Sequence, residues 1–149
     1  DGPNQIPLNS IEIESVVREL LPSRPFDLVL THGPQGEYTR HRRHEECCRA
    51  AVEMWYSGAI QTKMMWMFAY KDHGRSTLPR VRIDAHYRQA LSRPIWQRKQ
   101  NLIIADYGFA PDSWEACVSP REEGFWCFDS AGTAKDQIKE YIFVEFHSE

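Results

Sequence analysis

The 149-residue chain lacks any apolar run near the ~20 residues that cross a bilayer. Its longest, Met64-Met65-Trp66-Met67-Phe68-Ala69-Tyr70, has the length of a strand. It also lacks a basic excess: 18 Lys+Arg stand against 21 Asp+Glu, a net charge of −3, which argues against a general nucleic-acid binder. Cysteine is sparse. Cys47, Cys48, Cys117 and Cys127 are too few for a dense disulfide framework, and the adjacent pair does not bridge itself. Reduced thiols in a cytoplasmic protein are expected. There is no internal repeat, no linker-like stretch and no signal-peptide pattern.

What is present is ordinary globular composition, 42% hydrophobic and 26% charged, in a length that suits one domain over residues 1–149. Asn9 or Ser10 caps a helix from Ile11 to Leu21, stopped by Pro22 and Pro25. Residues 26–31 read as a strand buried on both faces of a parallel sheet. A second helix runs from His41 or Arg42 to Ser57, with Gly58 as its stop. Residues 64–70 read as a central strand, and 71–93 as a long excursion. Pro94 opens a third helix to Asp106, and an aromatic loop follows from Tyr107 to Glu115. Ser119-Pro120-Arg121-Glu122 predicts a capped helix to Phe128, and Ile138 to Phe146 a final strand. The order α-β-α-β-α-α-β favours an α/β fold. It is expected to be a Rossmann-like layered, mostly parallel sheet with helices on both faces. Three strands make a small sheet, so the fold reads as incomplete.

The chemistry concentrates in residues 31–46, Thr-His-Gly-Pro-Gln-Gly-Glu-Tyr-Thr-Arg-His-Arg-Arg-His-Glu-Glu. This stretch leaves the carboxyl end of a strand, crosses a glycine-containing loop and enters a helix. That edge is where open α/β sheets bind ligands. His41 and His44, three apart, share one helical face. They could hold a metal together, or one could ligate while the other moves protons. The plain alternative is a solvated, charged first turn.

Thr31, His32, Gly36, Glu37, Tyr38, His41 and His44 together resemble the second motif of the LmbE/PIG-L family of zinc-dependent N-deacetylases. That motif has Thr-His, a short loop, Gly-Glu-Tyr, then His-Pro-Asp-His opening a helix. Lys99 and Tyr107 are similar to later family positions. The resemblance spans residues 5–130 and is specific over 27–55. It implies removal of an N-acyl group from an N-acetylglucosamine-type sugar or glycoconjugate. By position it makes His44 a zinc ligand and His41 the acid or electrostatic stabiliser of the tetrahedral intermediate. It makes Tyr38 a mobile-loop tyrosine near substrate.

The chain departs from the family in three places. Arg42-Arg43 replaces Pro-Asp between the histidines, and like charge works against His41 as a proton donor. Thr39-Arg40 stands where the family has a single glycine, so the loop is one residue longer. The family's first motif, His-Pro-Asp-Asp or His-Leu-Asp-Asp, brings two zinc ligands and the carboxylate base, and no such sequence occurs here. The chain opens Asp1-Gly2-Pro3, and the expectation is the carboxyl-terminal portion of a longer enzyme, with the remaining ligands and the base upstream. Alone, it is expected to be inactive.

Other residues admit two readings. Arg40, Arg42, Arg43 and Arg49 either face an anionic substrate or pair with Glu45, Glu46 and Glu53. Cys47 and Cys48 either join a His/Cys zinc site or fill core. Trp66 reads as core. Tyr70 and Tyr107 could line a sugar cleft, as could Phe109 and Trp114. His32 sits where it would support a metal ligand from behind. His73, His86 and His147 read as surface residues. The competing function is a non-catalytic carbohydrate- or protein-binding domain of the same fold, and a basic helix docking a partner is a third. No membrane span is expected, and a homo-oligomer stays open.

Overall fold

The computed structural model describes residues 6–38, 40–71 and 78–145; side chains are described through residue 141. Its elements are α1 (Ser10–Leu20), β1 (Phe26–Thr31), α2 (Arg42–Tyr56), β2 (Thr62–Phe68), β3 (Tyr70–Lys71), β4 (Arg80–Val81), β5 (Tyr87–Ala90), α3 (Arg93–Asn101), α4 (Trp114–Cys117), β6 (Glu122–Phe128) and α5 (Ala131–Glu145). A π-helical segment, Leu102–Asp106, extends α3.

The first half follows the residue signals. The Asn9 side chain accepts from the Glu12 N–H, and Glu12 reciprocates to the Asn9 N–H, a complete capping box. Gly58 takes φ 76° just beyond α2, the left-handed geometry that ends a helix. Pro94 lies in the first turn of α3.

The main sheet has the order β1-β2-β6-β5. β1 and β2 are parallel; β2–β6 and β6–β5 are antiparallel. The fold is therefore mixed α/β, with one parallel pair rather than a mostly parallel sheet. The difference traces to two elements. Residues 122–128 form a central strand, not the expected helix. Gly124, Trp126 and Phe128 point into the core while Glu123, Phe125 and Cys127 alternate to the other face, a period of two that outweighs the Ser-Pro-Arg-Glu start signal. Residues 131–145 form α5 where a strand is expected from 138. Ala134, Ile138 and Tyr141 recur at helical spacing against the core. β5, inside the expected excursion, is an added edge strand, and β3 and β4 form a separate two-stranded sheet.

The core lies on one face of the main sheet. Met65, Met67, Trp126 and Phe128 meet Cys48, Ala51, Val52 and Trp55 of α2 and Ala134 and Ile138 of α5. The opposite face carries Leu28, Leu30, Met64, Trp66, Phe68, Tyr87 and Phe125. Trp66, Phe68, Tyr87 and Phe125 interlock with centroids 5.0–6.4 Å apart. Leu30 is 51% exposed and Met64 40%. β1 is thus an edge strand with one apolar face open, not a strand buried on both faces, because among the described residues α2 and α5 are the helices that pack on the sheet, both on its core face.

Candidate functional site

Two parallel strands, β1 and β2, bring Thr31 level with Met67, so the chain leaving β1 runs beside the end of β2. Gly33 lies so close to that end that a Cβ there would stand 2.5 Å from the Phe68 carbonyl oxygen and 2.4 Å from that of Gly36. Gly36 donates its N–H to the Gly33 carbonyl at 3.0 Å and turns the chain at φ 89°. This tight reversal carries Glu37 back toward His32. His41 then takes the N-cap position of α2, and His44 sits in its first turn.

The result is a compact cluster. The imidazoles of His32 and His44 stack at 3.9 Å with planes 4° apart, and His41 lies 4.4 Å from His44. The Glu37 carboxylate lies beside the stacked pair, 3.0 Å from His32 Nδ1 and 3.7 Å from His44 Nδ1. Neither approach is aligned as a hydrogen bond, and both Nδ1 atoms are buried. Burial first, then the neighbouring His32, pushes the His44 imidazole down to about 4; Glu37 opposes this and His41 adds to it. His44 is therefore neutral at ordinary pH, the form in which an imidazole ligates. His32, Glu37 and His44 are the one group among the described residues whose ligand atoms could hold a metal ion, all within 4.8 Å of one another.

A second network begins one residue beyond Glu37. Lys99 of α3 donates to the Tyr38 hydroxyl at 2.8 Å and pairs with Glu123 of β6, which also accepts from the Tyr70 hydroxyl. The Tyr38 and Tyr70 rings meet edge to face at 4.8 Å. Burial raises both phenols, so each keeps its proton. Burial works against the Lys99 charge, but Tyr38 and Glu123 more than offset it and raise its pKa. Compared with family models, curated proteins and solved structures, the chain shows no match.

The structure thus gathers His32, His41 and His44, and sets Tyr38 next to Glu37 in a buried network. Tyr107 is 79% exposed beyond the π-helical segment. Arg40 bonds Glu45 at 2.9 Å, and Arg43 pairs with Glu46 and donates to the Ile6 carbonyl at 2.7 Å. Arg40, Arg42 and Arg49 line a cleft of about 520 Å³ with Glu45 and Glu46, apart from the histidine cluster. Cys48 is core, its Sγ 3.9 Å from Met67 Sδ, and burial pushes its thiol up to about 12. That chemistry suits packing rather than a thiolate ligand, and none of the four cysteines is in a disulfide. Tyr70 is buried rather than lining a cleft. Trp66 is half-buried on the open face, and His86 accepts from the Cys127 N–H at 3.0 Å. His73 and His147 lie outside the described residues.

Sequence reasoning leaves Glu37 without a role beyond matching a motif, although a carboxylate between two histidines of one loop is a visible signal. Glu123 has no such signal, since it reaches Lys99 from another element.

Proposed function

We propose that the chain is part of a zinc-dependent hydrolase that removes an N-acetyl or other N-acyl group from an N-acetylglucosamine-type sugar or glycoconjugate. The observation that carries this reading is the convergence of His41 and His44 at the carboxyl end of β1, with His44 neutral and its Nδ1 buried without an aligned partner. Buried polar atoms are nearly always satisfied, so a nitrogen left open in this way fits a metal ligand. His44 is the residue that would hold zinc. When bound, the ion supplies Lewis acidity toward the amide carbonyl and acidifies water.

The chain's own residues then divide the remaining work. His41, at the amino-terminal end of α2, would stabilise a developing oxyanion or hold a proton for the leaving amine. His32 stacks on His44 and packs against its ring. Tyr38, kept protonated, offers a hydroxyl to substrate, with Arg40 and Tyr107 as outlying contacts. No carboxylate matches the family's base, so the 149-residue chain by itself is expected not to turn over.

The larger Rossmann-like layering belongs to this proposal. β1 ends the sheet, and the apolar face of Leu28, Leu30, Met64 and Trp66 is open. Both features suit further strands and helices contributed by a longer parent. A cytoplasmic location goes with the free cysteines, and among the described residues no helix is long and apolar enough to cross a membrane. One observation favours a second reading, a non-catalytic carbohydrate- or protein-binding domain: the arginine-lined cleft lies apart from the histidines.

The deciding experiment measures acetate release from N-acetylglucosamine glycosides by the full parent protein with zinc. The hydrolase reading expects turnover that His44→Ala lowers at least a hundredfold. A zinc-loaded parent without turnover, but with sugar or protein binding lost on Arg42→Ala, would establish the binding domain instead.

A further inference from the structure

The family resemblance assigns this chain a single metal ligand. The structure places three ligand-bearing groups together. We infer that His32, Glu37 and His44 form a complete two-histidine, one-carboxylate site for a divalent transition metal within this chain, so that the 149 residues bind metal without any upstream ligand.

Four observations support it. Each residue offers one ligand atom, and the three atoms lie within 4.8 Å of one another. Bonds near 2.0–2.2 Å set ligand atoms roughly 3.3 Å apart in a tetrahedral site, so the cluster needs displacements of about an ångström. The Glu37 carboxylate lies within 3.0 and 3.7 Å of the two Nδ1 atoms, yet neither pair is aligned to share a hydrogen. Facing lone pairs that exchange no proton are what a bound cation satisfies. The backbone is committed to this arrangement: Gly33 and Gly36 make a reversal that larger residues would obstruct, and it is this reversal that returns Glu37 to His32. Finally, all three side chains are only partly exposed, at 34%, 18% and 34% for His32, Glu37 and His44, so the cluster is largely screened from water while one side of each residue meets solvent.

The stacked rings place one requirement on binding. Two parallel imidazole planes cannot both point at one ion, so His32 and His44 must turn about the bond to the ring. That torsion has a broad minimum and little cost. Nitrogen and carboxylate donors with positions left for water suit zinc, iron(II) or cobalt(II) better than calcium or magnesium.

The inference deepens the hydrolase reading and rests on it for the metal's purpose, but not for its binding. The test uses the 149-residue chain with Zn²⁺ by calorimetry and Co²⁺ by visible absorption. Expected are one ion per chain, a cobalt spectrum of nitrogen and oxygen ligation without a thiolate band, and at least tenfold weaker binding in each of His32→Ala, Glu37→Gln and His44→Ala. Cys47→Ser should bind as the parent chain does. Glu37→Gln keeps shape and size, so its loss cannot be put down to unfolding. Wild-type affinity in Glu37→Gln and His32→Ala, or no binding by the chain, would overturn the site. If the chain binds no metal while the full protein hydrolyses amides with zinc, this ligand set fails and the hydrolase stands. A chain that binds as described in a parent that never hydrolyses leaves the site and removes the hydrolase.

Discussion

Gly33 shows how much one residue can govern here. A methyl group there meets two backbone carbonyl oxygens at 2.4 and 2.5 Å, and backbone cannot swing aside. Gly33→Ala should cost about 1–3 kcal/mol by overpacking and weaken metal binding at the same time. A urea melt read beside a zinc titration checks both, and unchanged affinity would separate the loop from the site. Lys99 is the second pivot. It holds Tyr38 and Glu123 together, and Lys99→Met leaves a largely buried carboxylate without its cation. The expected loss is about 2 kcal/mol, with Lys99→Met/Glu123→Gln recovering part of it in a denaturant double-mutant cycle. The histidine pair and the lysine network differ in how they could be read. His41 and His44 are legible because a three-residue spacing on a helix is local. The Tyr38–Lys99–Glu123–Tyr70 network joins four separate segments, and no short pattern in the chain announces it.

Elements were legible where caps and stops are specific. Asn9 and Glu12 mark the start of α1, and Gly58 closes α2. Asn9→Ala should lower stability by about 1 kcal/mol in a thermal or urea melt, since it leaves a first-turn N–H without its acceptor. β6 and α5 were not legible in the same way. Pro120 followed by acidic residues imitates a helix start, while the strand is decided by pairing with β2 and β5, Phe128 against Met65 and Tyr87 against Phe125. The β-branched and aromatic run after Ile138 imitates a strand. The helix is instead decided seven residues earlier, where Ala131 begins the stripe, continued by Ala134, that packs against the core. In both places a long-range contact overrides a local preference.

For the molecule as a whole, the sheet's two faces should respond differently to the same substitution. Met67 is fully buried under α2 and α5, whereas Leu30 stands half-exposed on the open face. Met67→Lys should abolish cooperative unfolding, because a lone buried ammonium has no partner there. Leu30→Lys should change stability by less than about 1 kcal/mol in the isolated chain. If the parent covers that face, the same Leu30→Lys should cost several times more there. The α/β class was legible from the alternation of elements. The sheet's mixed direction was not, because it depends on two elements whose local signals point the other way.

In the proposed hydrolase two neighbouring histidines do different work, His44 holding zinc and His41 acting on the reacting amide. The most direct measurement determines bound zinc and kcat/KM for acetate release in the full parent carrying His41→Gln or His44→Ala. His44→Ala is expected to lose both metal and turnover, and His41→Gln to keep stoichiometric zinc while kcat/KM falls at least a hundredfold. Full turnover in His41→Gln, or full zinc in a turnover-competent His44→Ala, would contradict it.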